Sequence, residues 1–389
     1  MSDDPVAGFT STGSKRPEAL FGALDDRWVP PARMVRAMGC RVWDAQGREY
    51  VDFIMALGAV ALGYGHPDVG RAAIEAIERG VVGPLAPVLE EELAADLRRL
   101  MPWVEQVRFL KSGAEACAAA VRLARVATGR DLVLGCGYHG WLDWSEGSAG
   151  VPAATRALFA ELPFNDVEGT RRLLTAAGDR LACVILEPVV VHEPTPEWLA
   201  LVRAETERLG ALLVVDEIKT ACRLAVGGGT ERYGLRPDLV VLGKAIANGF
   251  PLAAVGGRRE VMAGVGRTWI SSTLATEQVS LAAARTTLAV IERDGVPARL
   301  QVLGGRLLAG LRELERRHAD RIGGVGGLPE MCFLRFADEA TSRAVARGAA
   351  DRGVLFKRSA YNFVSLAHDA AVIDRALAVL GEVLAGSPD

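Results

Sequence analysis

Residues 211–220 read ALLVVDEIKT, and residues 237–254 read PDLVVLGKAIANGFPLAA. Each stretch contains a short valine- and leucine-rich run with no polar alternation. Such a run has no solvent face and reads as a strand of a largely parallel sheet covered on both sides. The first run ends on Asp216, and the second ends on Gly243 and Lys244. In open α/β sheets, ligands bind beyond the carboxyl ends of the strands. An acid and an amine at two such ends, 244 − 216 = 28 positions apart, are therefore candidates for chemistry. Buried Asp and Lys are rare unless paired or functional, and a structural ion pair is the competing reading.

Comparable apolar runs occur at 107–110, 132–134 and 183–186, with helical patterns between most of them. Segment 41–54 (RVWDAQGREYVDFI) predicts a hairpin turning at Gln46–Gly47, and 67–82 predicts an amphipathic helix with Pro67 near its start. From about residue 280 the pattern becomes helical, and a short α+β tail follows. The first twenty or so residues are polar and are expected to be mobile or draped over a partner.

Two further clusters end strands. In FLKSGAEACAAAVRLARVATGR (109–130), Ser112 and Glu115 have capping-box spacing, and Gly113 leaves the backbone open. A helix start of this kind suits a phosphate; it also reads as an ordinary well-capped helix. In VLGCGYHGWLDW (133–144), Gly135, Gly137 and Gly140 spell G-x-G-x-x-G. A dinucleotide fingerprint should open a helix, yet WLDWSEGSAGVP follows, so the nicotinamide reading is set aside. Tyr138, with His139 beside it, offers instead a flat face for a heterocycle, or else a core tyrosine.

Together the clusters fit one cofactor, pyridoxal 5'-phosphate. Its phosphate would rest on the helix start after Ser112, and its ring on Tyr138. Asp216 would keep the ring nitrogen protonated, and Lys244 would bond the aldehyde carbon. Burial lowers a lysine's pKa toward the free amine this role needs.

Composition excludes several classes. Half the residues are hydrophobic and the formal net charge is −3, so there is no basic excess for nucleic acid. No apolar run reaches the roughly 18 residues of a membrane span. The start MSDDPVAGFTSTGSKRPE is acidic where a signal peptide is basic, so a cytoplasmic location is expected. The cysteines Cys40, Cys117, Cys136, Cys183, Cys222 and Cys332 form no C-x-x-C pair, and no histidine stands at zinc spacing. They read as buried thiols, and no metal site is expected.

The chain also resembles the class III, fold-type-I pyridoxal-phosphate aminotransferases, especially the glutamate-1-semialdehyde aminomutase-like branch. The resemblance rests on GCRVWDAQGREYVDF, LGYGHPDV, VRFLKSGAEA, RLARVATGR, YHGW, VILEPV, LVVDE, RPDLVVLGKAIANGFPLAAVGG, SSTL and FVSLAH, in order along nearly the whole chain. It implies an α/β fold with a mostly parallel sheet in a large cofactor domain (61–285). A smaller α+β domain would come from both chain ends (1–60 and 286–389). It implies that Ser112, Gly113 and Ala114 hold the phosphate, that Tyr138 and Ile218 sandwich the ring, and that Asp216 and Lys244 are catalytic. Glu187 and His192 would lie near the ring hydroxyl. Thr273 would reach the cofactor of a neighbouring subunit, which implies a homodimer with shared active sites.

The departures from that family are specific. Ala114 replaces a phosphate-binding threonine, and Ala221–Cys222 replaces Gly-Phe ahead of Arg223. Thr276–Glu277–Gln278 replaces Gly-Asn-Pro. Leu57 stands where aminomutases carry a pocket tryptophan, and Ala360, by spacing to FVSLAH, where they carry a gating glutamate. Tyr361 or Asn362 is an alternative gate. These changes favour an aminotransferase working on an amino donor and a carbonyl acceptor, with an aminomutase or epimerase as the runner-up. The segments SKRPE, YHGWLDW and SSTLATE look more like a side branch found in surface-sugar and antibiotic biosynthesis. A substrate carboxylate usually needs an arginine; Arg16, Arg223 and Arg358 are candidates that also read as structural.

Overall fold

Runs of valine, isoleucine and leucine that cannot face water must stack beside one another, and in this chain they do so in one sheet. The structure, a computed structural model, describes residues 5–24 and 28–386. The chain divides into two units, one of Met1–His66 with Arg299–Asp389 and one of Pro67–Ala298.

In the second unit, seven strands lie in the order Gln106–Leu110, Ala253–Gly257, Leu239–Leu242, Leu212–Asp216, Leu181–Leu186, Leu132–Cys136 and Phe159–Glu161. The last five pair in parallel with their neighbours. Ala253–Gly257 runs antiparallel to both strands it touches. The expected parallel core is therefore present, and the strands at 159–161 and 253–257 are additional. Phe159–Glu161 is three residues long, too short to show a period. Ala253–Gly257 is so rich in small residues that it reads as a loop.

The helix Gly113–Thr128 packs its Ala116, Ala120, Leu123 and Ala124 face on this sheet, against Val133, Cys183, Val214, Val241 and Val255. Ser112 caps it with a complete capping box, and Gly129 ends it at φ 69°. Alanines along the buried face let helix and sheet approach closely. The helix Pro67–Arg79 matches its sequence pattern, and Gln278–Arg293 lies against it.

In the first unit, the hairpin forms as expected between Arg41–Asp44 and Glu49–Asp52. Asp44 secures the turn by accepting from the amides of Gln46 (3.0 Å) and Arg48 (2.9 Å). Met34–Met38 and Val354–Leu355 complete a four-stranded sheet. The start of the chain departs from expectation. Pro17–Phe21 is a helix whose Phe21 is buried with Val42, Tyr50, Ala346 and Ala350. A single large aromatic in a polar segment sufficed to dock it.

After Asp52 the backbone enters the left-handed region at Met55, Ala56 and Leu57 (φ 47°, 50° and 59°). Such conformations cost of order 1–3 kcal/mol each for non-glycine residues. Asp52, itself buried, holds the bend by accepting from Ile54 N (2.7 Å), Met55 N (3.1 Å) and the Tyr64 hydroxyl (2.7 Å).

Trp198 is fully buried, and its indole N–H donates to Thr170 Oγ1 at 2.9 Å. Trp198→Ala opens a cavity and leaves that hydroxyl without its donor, so the second unit should lose about 3–5 kcal/mol of stability. Thermal unfolding followed by circular dichroism checks this; a midpoint within about 1 °C of the parent would refute it.

Candidate active site

Asp216 ends the Leu212–Asp216 strand with its side chain almost wholly buried. A carboxylate taken out of water needs donors, and three are supplied. His139 Nδ1 lies 2.8 Å from Oδ2, the Cys117 thiol donates to the same oxygen at 3.4 Å, and Ile218 N donates to Oδ1 at 3.0 Å. Burial first, and then the Asp216 charge, push the Cys117 thiol well above its usual range. It therefore stays protonated and donates, rather than acting as a thiolate ligand, although Cys117, His139 and Asp216 have the spacing of a metal triad.

Lys244 follows the neighbouring strand after Gly243 and sits in the left-handed region at φ 48°. Burial lowers its pKa from the ordinary lysine value, and the nearby Glu187 and Asp216 charges oppose that shift. Desolvation wins, and the amine is easier to deprotonate than a surface lysine. Residues held in such conformations cluster at functional sites.

Glu187, at the end of the Leu181–Leu186 strand, accepts from Tyr138 N at 3.2 Å and pairs with Lys219 Nζ at 2.9 Å. This pins the turn that carries Tyr138, whose ring is 68% exposed and free to receive a planar ligand. The glycines of 135–140 serve packing. A Cβ on Gly137 would lie 2.6 Å from Glu187 Oε2, and one on Gly140 would lie 2.5 Å from the Ala114 Cβ. The turn thereby closes on the start of the Gly113–Thr128 helix. Ile218 lies over that helix start, since a Cβ on Gly113 would meet its Cδ1 at 2.6 Å.

The structure thus brings Ser112, Gly113, Ala114, Tyr138, His139, Glu187, Asp216, Ile218 and Lys244 to one end of one sheet. His139 faces Asp216, so it acts on the acid rather than standing beside the tyrosine face. His192 is exposed, and no contact joins it to the cluster among the described residues. Thr273 is exposed at the start of a short 3-10 turn. Cys117 and Lys219 were missed. A cysteine inside an alanine-rich helix reads as packing, and its distance of 99 positions from Asp216 carries no local signal.

Glu217, the other acid of the DE pair, is turned away. It accepts from Thr220 Oγ1, Gly229 N (2.8 Å) and Thr230 N (2.5 Å). Arg223 is fully buried. Arg358 is paired with Glu339, and Arg16 donates to Gly8 O at 3.0 Å. The altered Thr276–Glu277–Gln278 segment has its own logic. Glu277 caps the Gln278–Arg293 helix and pairs with Lys111 at 2.6 Å, next to Ser112.

A sequence profile of the Aminotransferase class-III family matches residues 25–385. The chain belongs to that family. It is 36% identical to a glutamate-1-semialdehyde 2,1-aminomutase of Thermus thermophilus, over 96% of each chain. Among solved structures it resembles the FumI protein of Sphingopyxis sp. MTA144 in its pyridoxal-phosphate form (TM-score 0.87, 27% identity, 95% of each chain). It also resembles a β-phenylalanine aminotransferase from Variovorax paradoxus (TM-score 0.83, 29% identity, 93% of this chain and 90% of that one). Family members use pyridoxal phosphate, and the residues here fit it. A capped helix start suits the phosphate, the exposed Tyr138 face suits the ring, a fixed buried carboxylate suits the ring nitrogen, and a softened amine suits the aldehyde.

All six cysteines are buried and free. The native protein should react negligibly with Ellman's reagent at pH 8 and show all six thiols after denaturation. Rapid native labelling of Cys117 would show that the Asp216 pocket is open to solvent on that side.

Proposed function

We propose that the protein is a pyridoxal-phosphate aminotransferase that moves an amino group from an amine donor to a separate carbonyl acceptor. Bound pyridoxal phosphate supplies the aldehyde that carries the amino group and a cationic ring that accepts electrons. The chain's residues do the rest. Ser112, Gly113 and Ala114 hold the phosphate at the helix start, and Tyr138 and Ile218 flank the ring. Asp216, immobilised by His139, Cys117 and the Ile218 amide, keeps the proton on the ring nitrogen. Lys244, with its lowered pKa, takes the proton from the substrate carbon and returns it. Glu187 fixes the Tyr138 turn.

The observation that carries aminotransfer over aminomutation is the fate of the possible gate residues. Ala360 has no polar side chain. Asn362 is fully buried and occupied with the backbone of Lys357 (2.6 and 3.0 Å), and Tyr361 packs on Phe333 and Phe363. Both side chains are thus taken up by partners within the first unit. The second reading, a glutamate-1-semialdehyde 2,1-aminomutase, is favoured by the name of the 36% identical Thermus relative.

We also infer a homodimer. Val81, Val82, Leu85, Trp269 and Leu274 are exposed apolar residues of the second unit. Gln278 N donates to Val81 O at 2.8 Å, which holds part of this surface beside the Thr273 turn. Exposed apolar side chains can mark association surfaces, and in such a dimer Thr273 would serve the partner's cofactor. Among the described residues no helix is long and apolar enough to cross a membrane. Six unpaired thiols suit a reducing cytoplasm.

Asp216→Asn should retain cofactor, because the phosphate and lysine contacts remain, while kcat falls at least about a hundredfold, roughly 2.7 kcal/mol. Cofactor absorbance and steady-state rates measure both. A rate near that of the parent would remove Asp216 from the mechanism.

The reaction type is decided by incubating the holoenzyme with one amino compound and no carbonyl acceptor. Aminotransfer predicts a single stoichiometric half-reaction, and parallel double-reciprocal lines once an acceptor is added. Sustained conversion of glutamate-1-semialdehyde to its positional isomer would replace this reading with the aminomutase.

A further inference from the structure

The two carboxylate oxygens of Asp216 are bonded differently. Oδ2 meets two side-chain donors, His139 Nδ1 at 2.8 Å and the Cys117 thiol at 3.4 Å. Oδ1 accepts from one backbone donor, Ile218 N at 3.0 Å. Each carboxylate oxygen can accept two hydrogen bonds. Among the described residues, Oδ2 is therefore filled and Oδ1 keeps one position open. His139 Nε2 is buried and without a partner among the described residues, so a second proton on that ring would be an N–H with no acceptor. The imidazole thus gives its one N–H to Asp216.

The thiol does more than fill space. Every other residue that the Gly113–Thr128 helix buries is alanine, valine or leucine, and Cys117 alone of them has a hydrogen to donate. An apolar residue there would pack as its neighbours do and leave Oδ2 with one donor. The thiol also keeps its hydrogen. Burial is the first cause, the Asp216 and Glu187 charges add to it, and only Lys244 opposes them.

We propose that Cys117 is a positioning residue for the cofactor ring: with His139 it occupies Asp216 Oδ2, leaving Oδ1 as the oxygen that takes the ring N–H. This rests on the pyridoxal-phosphate site proposed above, and it holds for aminotransfer and aminomutation alike. Hydrogen bonds donated to a carboxylate favour its ionised form. The thiol bond therefore helps leave the shared proton on the ring nitrogen. It also stops the carboxylate from rotating, so the open position on Oδ1 keeps one direction.

Cys117→Ala, which removes the donor, and Cys117→Ser, which restores one, test this beside Asp216→Asn. The first measurement is nitrogen NMR of holoenzyme loaded with pyridoxal phosphate isotopically labelled at its ring nitrogen. The parent and Cys117→Ser should give the resonance of a protonated ring. Cys117→Ala should move it toward that of the bare nitrogen, by about a tenfold change in the proton's distribution. An unmoved resonance in Cys117→Ala, with that of Asp216→Asn shifted, would show that the thiol only packs. If Cys117→Ser fails to restore the parental signal, the effect comes from lost volume and the proposal is overturned. If Asp216→Asn itself keeps the parental resonance, Asp216 is not the ring's partner, and that part of the site falls with the inference. The second measurement compares the affinity of the full chain for pyridoxal phosphate with that for its deaza analogue, in which a C–H replaces the ring nitrogen. The parent's preference for pyridoxal phosphate should fall about tenfold in Cys117→Ala and return in Cys117→Ser. Equal weakening of both ligands, which leaves the preference unchanged, would mean a structural role alone and overturn the proposal.

Discussion

A carboxylate buried at the end of the Asp216 strand, with no Lys or Arg bonded to it among the described residues, is the constraint on which the second unit's design turns. Taking such a group from water costs several kcal/mol unless its oxygens are satisfied. Here satisfaction comes from His139, Cys117 and the Ile218 amide. Those donors fix where other parts must lie. His139 brings in the turn that presents Tyr138, Cys117 brings in the helix that starts at Gly113, and Ile218 covers that helix start. The aromatic face, the helix terminus and the acid thus come from one hydrogen-bonding problem with one solution.

Charge balance around that acid is economical. Glu187 and Asp216 both act to raise the Lys244 pKa, and burial overrides them. Part of the reason lies in Lys219, which pairs with Glu187 at 2.9 Å and takes up much of its charge. Without that pair, Glu187 would hold Lys244 more firmly in the ammonium form. The Lys111–Glu277 pair repeats the theme at the other end of the cluster. It ties the residue before the Ser112 cap to the cap of the Gln278–Arg293 helix. Burial pushes the Glu277 carboxyl upward, but hydrogen bonds from Lys111 and Ser280 outweigh it and hold the pKa below the usual range. The lost Gly-Asn-Pro start is thus replaced by an acid that caps a helix and neutralises a lysine.

In the first unit the decisive groups do no chemistry of their own. Asp52 accepts three hydrogen bonds to hold a left-handed bend, and Asn362 spends its amide on Lys357's backbone. Both are buried polar groups fully used in shaping the chain. Side chains of this kind fix the course of the neighbouring backbone, at Ile54 and Met55 in one case and at Lys357 in the other.

Much of the molecule was legible in the sequence because its signals are local. Apolar runs too hydrophobic for any solvent face gave the parallel strands, Ser112 with Glu115 marked the helix start, and Asp216 and Lys244 stood out as charges closing such runs. Turn chemistry marked the 41–54 hairpin in the same way. What remained hidden depends on groups far apart in the chain. Nothing near Cys117 signals a partner 99 positions away, and nothing near His139 indicates that it faces Asp216 rather than a ligand. Nothing near Asn362 signals that it holds the backbone of Lys357, and nothing near Lys357 signals its burial. A sequence alone determines which residues must leave water and which local conformations are cheap. Only the tertiary structure decides which buried donor meets which buried acceptor, because that pairing is settled by the packing of distant segments, where every polar group taken from water must find a partner.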